Sequence, residues 1–531
     1  MQKLLLLVLL TSTFVSAQIT GKVTDINNLP LQNVNVYAKD TYNGTTTNAN
    51  GEFRLDLHPK ENQILVFKFL GYKTLEKTIG KNELYVEIQL KEKITTLDDV
   101  FITRTEDPAY SIIRNAIKQR KTNLAKIQDY KADFYSKGIW QIQNVPEKIL
   151  GQDVGDLGGS LGSTRSGVVY LSETVSKIAY KAPNHFKERI IASKVSGNDR
   201  GFSFNSAEDF NFSIYENTLD LGKNLVSPIA KFAMNYYDYE LVGTFYENEK
   251  FLVNKIKVIP KRPNDAVFSG HLYILEDSWE VFGVELHTTG KSIQVELVKN
   301  LNINQTFTYN DEDNFWVLIS QNISFDWAFL GMSGGGDFVA SYKNFDFNPN
   351  LNKNDFSNAV IVFDKEATTK DSLYWEKNRP VPLTSLELKD YTFKDSLQQV
   401  KNTKAYKDSI DTKRNAFNLT DPIFGYSWQN STTHQEAGFT GLTNINFNTV
   451  QGYNIKSEAY FRQKDTAGSY KSFWEIRSYL DYGISENKLR AYGRFAKKFN
   501  NFSKPLLTIS GGVKLEDIIS TQPINERLSS V

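Results

Sequence analysis

The last hundred residues alternate between apolar and polar side chains with a period of two. From Tyr453 to Arg462, one face carries Tyr453, Ile455, Ala459 and Phe461, and the other carries Asn454, Lys456, Glu458 and Arg462. The segments Ser472–Tyr482 and Leu489–Phe495 repeat this scheme, and Leu506–Val513 repeats it more weakly. Strands of about ten residues with this repeat are typical of a barrel wall between lipid and lumen. Residues 431–531 are therefore predicted to form the first strands of an antiparallel outer-membrane β-barrel. The alternative is a two-faced sheet in a soluble domain.

Four such segments are too few to close a barrel. Bacterial barrels use at least about eight strands, and an open sheet edge in lipid would leave backbone groups unpaired. The chain ends at Leu528-Ser529-Ser530-Val531, without a terminal aromatic residue. We therefore expect this sequence to be a C-terminally truncated fragment.

The N-terminus has the pattern of a secretory signal. Lys3 precedes the apolar run Leu4–Leu10, and the small residues Val15-Ser16-Ala17 precede Gln18. This run is shorter than the roughly 20 residues that span a bilayer. Residues 1–17 are predicted to be a signal peptide, so the mature chain would begin at Gln18 outside the cytoplasm. The alternative is a buried N-terminal strand.

The composition excludes several classes of protein. The chain has no cysteine, which excludes disulfides, thiolate metal sites, a cysteine nucleophile and a lipoprotein anchor. The formal net charge is +1 and would fall to zero on loss of Lys3, so we expect no nucleic-acid partner. No apolar stretch of about 18 residues follows the signal, so membrane residence would require a barrel. The 27 Tyr and 35 Phe residues favour a mainly β chain.

Residues 18–92 are predicted to form an Ig-like or prealbumin-like β-sandwich. Short alternating runs, such as Val34–Tyr37 and Leu65–Phe69, are separated by turn signals at Asn43-Gly44 and Asn50-Gly51. The segments that carry a resemblance are Gly21–Asp25, Pro30–Val36, Gly44–Thr47, Asn50–Phe53 and Phe69–Tyr72. They resemble the carboxypeptidase regulatory-like domain, an accessory sandwich found in zinc carboxypeptidases and at the front of many outer-membrane proteins. Family members often have Asp where this chain has Asn48. The resemblance implies the fold and no activity, because the accessory domain holds no catalytic residue.

Residues 93–128 are interpreted as a linker and a short amphipathic helix. Asp107 can cap this helix and Pro108 suits its first turn. Its apolar face is Ala109, Ile112, Ile113, Ala116 and Ile117, and Arg114, Lys118, Arg120 and Lys121 lie on or near the other side. That charged side is either solvated or in contact with anionic lipid headgroups.

Residues 129–360 are predicted to be a β-rich periplasmic domain of unknown function, and residues 361–430 a second linker. Val253–Ile259 and Leu272–Leu286 alternate with period two. The spacing of Ile259-Pro260, Phe268–Gly270, Leu272–Ile274 and Trp279 resembles that of open half-barrels that carry lipoproteins or lipids in the periplasm. The alternative is an antiparallel meander with an ordinary core.

A second resemblance runs over most of the chain from about Ala109 onward. It is carried by Tyr170–Glu173, Ser193–Gly197, Ser227–Ala230 and Trp375–Thr384. These segments resemble a large family of uncharacterised outer-membrane proteins that begin with the regulatory-like sandwich. The resemblance implies a full C-terminal barrel and no particular biochemical activity.

Two patterns suggest catalysis but lack its structural context. Gly158–Gly162 and Gly331–Gly335 fit a nucleophile elbow, which needs a helix after the serine, whereas strands are predicted to follow both. His185-Phe186-Lys187-Glu188 fits a zinc pair, with His287 as a third ligand, but a catalytic site needs three converging ligands and a supporting shell. We therefore predict no catalytic, cofactor-binding or metal-ligating residue.

The function predicted from these features is that of a non-enzymatic outer-membrane barrel protein with its N-terminal domains in the periplasm. Its role would be transport, assembly or ligand binding, with outer-membrane lipid as a partner and lipid, polysaccharide or protein as cargo. The alternative is a soluble or surface-held protein that binds carbohydrate or protein, for which an exposed Trp140, Trp316 or Trp327 would serve as an aromatic platform. A zinc peptidase or serine hydrolase is the least expected function.

Overall fold

The computed structural model describes residues 18–57, 62–93, 106–149, 151–157, 159–197, 205–310, 314–356, 359–448, 450–465, 472–499 and 505–515. The predicted signal peptide, residues 94–105 of the first predicted linker and Leu528–Val531 lie outside the described residues. The chain divides into two compact units, one ending at Leu397 and one beginning at Gln398. Of the described residues, 50% lie in strands and 15% in helices, so the fold is mainly β, which confirms the fold class predicted from the aromatic-rich, alternating sequence.

The N-terminal residues form a β-sandwich. Its strands are β1 (Ile19–Thr24), β2 (Asn35–Ala38), β3 (Gly44–Thr46), β4 (Glu52–Leu55), β5 (Gln63–Lys68), β6 (Leu75–Ile79) and β7 (Tyr85–Gln89). One sheet has the order β4-β1-β7 and the other β3-β2-β5-β6. Alternate side chains of both sheets fill one core that includes Phe53 and Phe67. A Cβ on Gly21 would lie 2.1 Å from the carbonyl oxygen of Val86, so this close approach requires glycine.

Helix α1 spans Pro108–Leu124 and begins as predicted. The Asp107 carboxylate accepts a 2.8 Å hydrogen bond from the N–H of Ala109, and Pro108 occupies the first turn. The buried apolar side chains are Ala109, Ile112, Ile113 and Ala116. Arg120 departs from the predicted charged face: it is buried and donates a 2.9 Å hydrogen bond to the carbonyl of Tyr215.

The next strands are β8 (Asp129–Gln143), β9 (Lys148–Ile149), β10 (Gln152–Asp153), β11 (Gly167–Lys181), β12 (His185–Val195), β13 (Thr218–Asp220), β14 (Asn224–Val226), β15 (Tyr237–Glu247), β16 (Phe251–Pro260), β17 (Ser269–Leu275), β18 (Val281–Thr289), β19 (Val298–Asn310), β20 (Phe315–Phe329), β21 (Met332–Asp346) and β22 (Ile361–Phe363). Eleven of them form one sheet in the order β15-β16-β17-β18-β19-β20-β21-β8-β11-β12-β22. All neighbours are antiparallel except β12 and β22. Short helical turns lie at Ala233–Asn235, Gly290–Ile293 (α2) and Lys353–Asp355.

The predicted segment Leu272–Leu286 is a hairpin of β17 and β18. The chain reverses between them, with Asp277 and Trp279 in the left-handed region (φ 66° and 54°). Tryptophan is not a residue that signals such a turn, which is why the alternation reads as continuous in the sequence.

The largest core combines α1, strands of the eleven-stranded sheet and one residue of the sandwich. That residue is Leu70, which packs against Gly283 of β18. A Cβ at Gly283 would lie 2.5 Å from a methyl carbon of Leu70. The sandwich therefore shares a core with the sheet.

Residues 361–430, interpreted as a linker, contain regular structure. Besides β22 they form α3 (Ser372–Asn378), α4 (Ser385–Asn402), α5 (Lys404–Arg414) and α6 (Asp421–Phe424). Asp371 and Thr403 cap α3 and α5 by accepting hydrogen bonds from the N–H groups of Tyr374 and Tyr406. Trp375 is buried, so the first part of this region belongs to a packed domain.

The C-terminal unit carries one antiparallel sheet. Its strands are β23 (Tyr426–Asn430), β24 (Gln435–Phe439), β25 (Ile445–Asn448), β26 (Gly452–Asp465), β27 (Ser472–Gly483), β28 (Lys488–Lys498) and β29 (Leu506–Gly512). Among the described residues the order is β23-β24-β26-β27-β28-β29, with β25 paired to β26. The last four predicted segments thus form adjacent strands.

Candidate functional site

One face of the C-terminal sheet is apolar and exposed. The cross-strand register aligns Phe461, Ile476, Phe495 and Ile509 in one row across β26, β27, β28 and β29. In this row Ile476 and Ile509 are exposed and the two phenylalanines are half-buried, and further exposed members of the same face are Leu480, Tyr482, Leu489 and Leu507. The exposed fraction reaches 49% for Ile476 and 61% for Ile509. We call this set the apolar face.

The opposite face of the same sheet is charged. Arg462 and Glu475 are direct cross-strand partners, with a 2.7 Å hydrogen bond from Nε to Oε2. Arg477 donates to Glu475 at 2.6 Å and also pairs with Glu458. Glu475 is only 4% exposed, far less than Ile476 beside it.

The two faces therefore invert the usual burial order. Apolar side chains in water are normally the covered ones and carboxylates the exposed ones. Here the carboxylates and guanidinium groups are paired with each other, as buried charges must be, while the aliphatic side chains lie open. Within the described part of the chain, no helix has both the length and the apolar character required to cross a bilayer.

A second candidate site is a polar cleft in the unit that ends at Leu397. It has a volume of about 800 Å³ and lies between the sandwich loops 32–33 and 47–50, one face of β8, β20 and β21, and the start of α4. The register places Asp326 beside Gly335 and Gln141, and Ser324 beside Asp337 and Ile139. These residues form the floor of the polar cleft.

Asp337 lies in this floor and is held by two amide donors. Asn322 Nδ2 donates to Oδ1 at 2.5 Å, and Gln32 of the sandwich donates to Oδ2. Burial raises the pKa of Asp337 above its ordinary value, although both amide hydrogen bonds act in the opposite direction. Asp337 thus connects the floor to the sandwich wall.

An ion pair closes another side of the polar cleft. Lys137 Nζ lies 2.9 Å from Glu387 Oε1, and both side chains are buried. Glu387 Oε2 also accepts a 2.7 Å hydrogen bond from the N–H of Thr384 at the start of α4. Both charges are therefore compensated within the protein.

The wall near α4 belongs to a segment that attaches the sandwich to the sheet. Thr45 Oγ1 donates to the carbonyl of Pro380 at 2.7 Å, and Asn48 Nδ2 donates to that of Pro382 at 3.1 Å. The neighbouring Arg379 forms a bidentate ion pair with the buried Glu173 of β11. We call Trp375–Thr384 the bracing segment. Its residues carry a family resemblance in the sequence, but no local pattern there indicates their partners.

The structure separates the residues of the His-x-x-Glu pattern, for which no zinc site was predicted from the sequence. His185 and Glu188 are three positions apart on β12 and so point to opposite sheet faces. Glu188 accepts hydrogen bonds from Ser176 Oγ at 2.7 Å and the Ala207 N–H at 2.9 Å, and His287 Nε2 lies 2.7 Å from Ser269 Oγ. No group of three His, Cys, Asp or Glu residues able to hold a metal was found among the described residues.

Neither serine pattern is followed by a helix. Ser333 lies inside β21, and its hydroxyl accepts a 3.4 Å hydrogen bond from Asn144. The first pattern begins at Gly158, which is outside the described residues, and is followed by β11. Of the three candidate aromatic platforms, Trp140 is 38% exposed, whereas Trp316 and Trp327 are buried.

Comparison with known proteins divides the chain into three matched regions. Residues 19–102 match the CarboxypepD_reg-like domain. Residues 112–345 match a family of unknown function (DUF5686), and residues 420–531 match the C-terminal domain of that family.

Similarity to individual proteins is limited. A TonB-dependent receptor of Formosa agariphila is 32% identical over 103 residues, which cover 18% of this chain and 10% of that protein. A LolA superfamily protein from Nitrosomonas europaea is 10% identical, covering 47% of this chain and 97% of its own, with a TM-score of 0.19. The MucA/MucB complex of Pseudomonas aeruginosa is 10% identical, covering 75% and 93%, with a TM-score of 0.14. Such TM-scores support no fold argument. The three matched regions show that the chain combines a CarboxypepD_reg-like domain with the two domains of the DUF5686 family of unknown function.

Proposed function

We propose that this protein is a non-enzymatic outer-membrane protein. In this proposal, strands β23–β29 belong to the wall of a membrane-spanning β-barrel, and the residues before Gln398 fold in the periplasm, where they bind a partner or cargo. The observation that carries the proposal is the inverted burial of the C-terminal sheet.

The two faces of this sheet favour different surroundings, one apolar and one aqueous. Contiguous exposed apolar patches of this kind are rare on soluble monomers and mark contact with another apolar phase. In a barrel, alternate residues face lipid and lumen, which suits the row from Phe461 to Ile509 on one side and the Arg462–Glu475 pair on the other.

Similarity to an envelope receptor supports this location. The matched relative is named a TonB-dependent receptor, although this chain spans only a tenth of its length. A binding rather than catalytic role is supported by the separation of His185 from Glu188 on opposite faces and by the position of Ser333 within a strand.

The test is to express the complete gene product in its native envelope and to separate inner membrane, outer membrane and periplasm. We expect the protein in the outer-membrane fraction, with a gel mobility that changes on heating because a folded barrel resists detergent. Recovery as a soluble periplasmic monomer would contradict the proposal and would favour a soluble binding protein.

A further inference from the structure

The polar cleft offers side chains that the protein itself does not use. Gln141 and Gln143 of β8 and Asp326 of β20 line it, and within the described part of the chain their side chains make no hydrogen bond to the protein. Asn33 of the sandwich and Lys299 of β19 also line the cleft, and their side chains likewise make no hydrogen bond to the described part of the protein. The polar cleft therefore presents amide donors and acceptors from two walls.

The charged side chains that line the cleft do not favour a charged ligand over an uncharged one. The Lys137–Glu387 pair is closed, and Asp337 is occupied by the amides of Asn322 and Gln32. The remaining charges, on Asp326 and Lys299, have opposite signs. A phosphate or polycation would thus gain little over an uncharged ligand.

The backbone of the floor cannot bind an extended peptide. Strands β8, β20 and β21 are each paired on both sides within the eleven-stranded sheet. Strand addition needs a free sheet edge with unpaired N–H and C=O groups. Recognition here must use side chains, and amides with a carboxylate are suited to bonding hydroxyl groups.

We propose that the polar cleft binds an uncharged, hydroxyl-rich ligand, namely a short stretch of oligosaccharide. Its volume of about 800 Å³ lies within the range of roughly 300–1,000 Å³ that ligand sites occupy. The inference rests on the proposed binding role and names the ligand class. It does not depend on where the C-terminal sheet lies, because every residue that lines the cleft precedes Gln398.

The experiment uses the full chain in a detergent without a sugar headgroup, such as lauryldimethylamine oxide. The protein is screened on an array of neutral oligosaccharides, and each hit is titrated by calorimetry beside a capped tetra-alanine peptide. We expect at least one saccharide to bind and the peptide not to bind. Gln141→Ala is expected to raise the dissociation constant at least fivefold, because it removes an amide that would donate to and accept from the hydroxyl groups of the ligand.

The matched control is Asn304→Ala. Asn304 is exposed on β19, opposite Asn322 in the register, and lies outside the polar cleft. Its substitution should leave the affinity unchanged. The inference is overturned if no neutral oligosaccharide binds, if the peptide binds instead, or if Gln141→Ala binds as tightly as the native chain. These failures are distinct from recovery in the periplasm, which bears only on the location of the protein.

Discussion

Glu173 of β11 and Arg379 of the bracing segment form two hydrogen bonds, from Nε to Oε1 at 2.6 Å and from Nη2 to Oε2 at 2.7 Å. The phenol of Tyr135 donates to Glu173 Oε1 at 2.8 Å. Burial alone would raise the pKa of Glu173, but the guanidinium of Arg379 holds it below its ordinary value. The pair spans 206 residues of sequence and thereby joins the bracing segment to the sheet.

Replacing Arg379 should therefore be costly. Arg379→Ala leaves a fully buried carboxylate without its cation, and we expect a loss of about 3–5 kcal/mol in the free energy of unfolding. Urea unfolding followed by tryptophan fluorescence measures this loss. The control is Arg189→Ala, which breaks the exposed pair with Asp364 and should cost no more than about 1 kcal/mol. Equal losses in the two variants would contradict the assigned role of Arg379.

Asn48→Asp tests why this chain departs from the family pattern. Asn48 Oδ1 accepts from the N–H groups of Asn50 and Glu52, and Nδ2 donates to Glu52 Oε2 at 2.9 Å and to Pro382. Aspartate retains the acceptor but removes the donor and places a second carboxylate beside Glu52. We expect the free energy of unfolding, measured by heat or urea at pH 7, to fall by about 1–3 kcal/mol. The exposed Asn304→Asp should be nearly neutral, and similar behaviour of the two variants would refute this explanation.

Glu247 of β15 is expected to make the attachment of the sandwich dependent on pH. Its carboxylate contacts Lys93 at 3.0 Å and Lys68 at 3.6 Å, both on the sandwich side. Burial alone would raise the pKa of Glu247, but the two lysines lower it below its ordinary value. The stabilisation is therefore present above the unfolded-state pKa of about 4.3 and is lost as the pH falls through the lower, folded-state pKa.

We accordingly expect Glu247→Gln to be less stable than the native chain by about 3 kcal/mol between pH 5.5 and 7, with the difference shrinking progressively as the pH falls below about 5 and already smaller at pH 4. Lys68 sets the upper end of this pH range. Burial lowers the pKa of Lys68 to about 8, so above that pH the lysine loses the charge that pairs with Glu247. Urea titrations at pH 7, 5.5 and 4 measure the difference. Glu76→Gln, which breaks a surface pair with Lys39, is the control and should show little pH-dependent change. A gap for Glu247→Gln that stayed constant down to pH 4 would count against the ion pairs as its source.

Ile476→Arg tests whether the side chain at this position faces lipid or water. At the middle of a bilayer, arginine on the lipid face costs about 2–4 kcal/mol, whereas on a wet surface the exchange is nearly neutral. We expect the variant to yield much less heat-modifiable protein in the outer membrane. Leu29→Arg, at an exposed position of the sandwich, should assemble normally. Normal assembly of both variants would exclude Ile476 from the lipid-facing surface.

Gly336→Ala tests the packing beneath the polar cleft. A Cβ at Gly336 would lie 2.3 Å from a ring carbon of Phe325, its cross-strand partner. Overpacking of this kind typically costs about 1–3 kcal/mol, and we expect that loss in urea unfolding. Gly80→Ala is the control, because no atom lies within 4 Å of its added Cβ. A stability equal to that of the control would show that Phe325 moves aside without strain.

Local patterns predicted the strands and faces well where alternation alone decides them. Phe461 and Ile476 fall on one face because side chains in a strand alternate with a period of two, whatever the partner strand is. The start of α1 could be predicted equally well, because Asp107 and Pro108 act within one turn of the helix. The sandwich followed from motifs such as Gly21–Asp25, whose glycine meets a steric requirement.

Contacts distant in sequence were not predictable in this way. Nothing in the sequence around Arg379 indicates that it pairs with Glu173, and nothing around Arg120 indicates that it donates to the carbonyl of Tyr215. The polar cleft was missed for the same reason, because its walls come from the sandwich, the sheet and α4. Its residues are ordinary amides and hydroxyls, which carry no spacing signal.

The bracing segment has a consequence for the order of events during synthesis. The carbonyls of Pro380 and Pro382 that accept from Thr45 and Asn48 are made 335 and 334 residues after their donors. A chain that grows from its N-terminus can complete the sandwich strands early, because domains fold as units in the order of their synthesis. The hydrogen bonds from the sandwich to the bracing segment cannot form until most of the chain has been synthesised. The first domain to fold is thus among the last to gain all of its contacts, because two of its hydrogen-bond acceptors lie at Pro380 and Pro382.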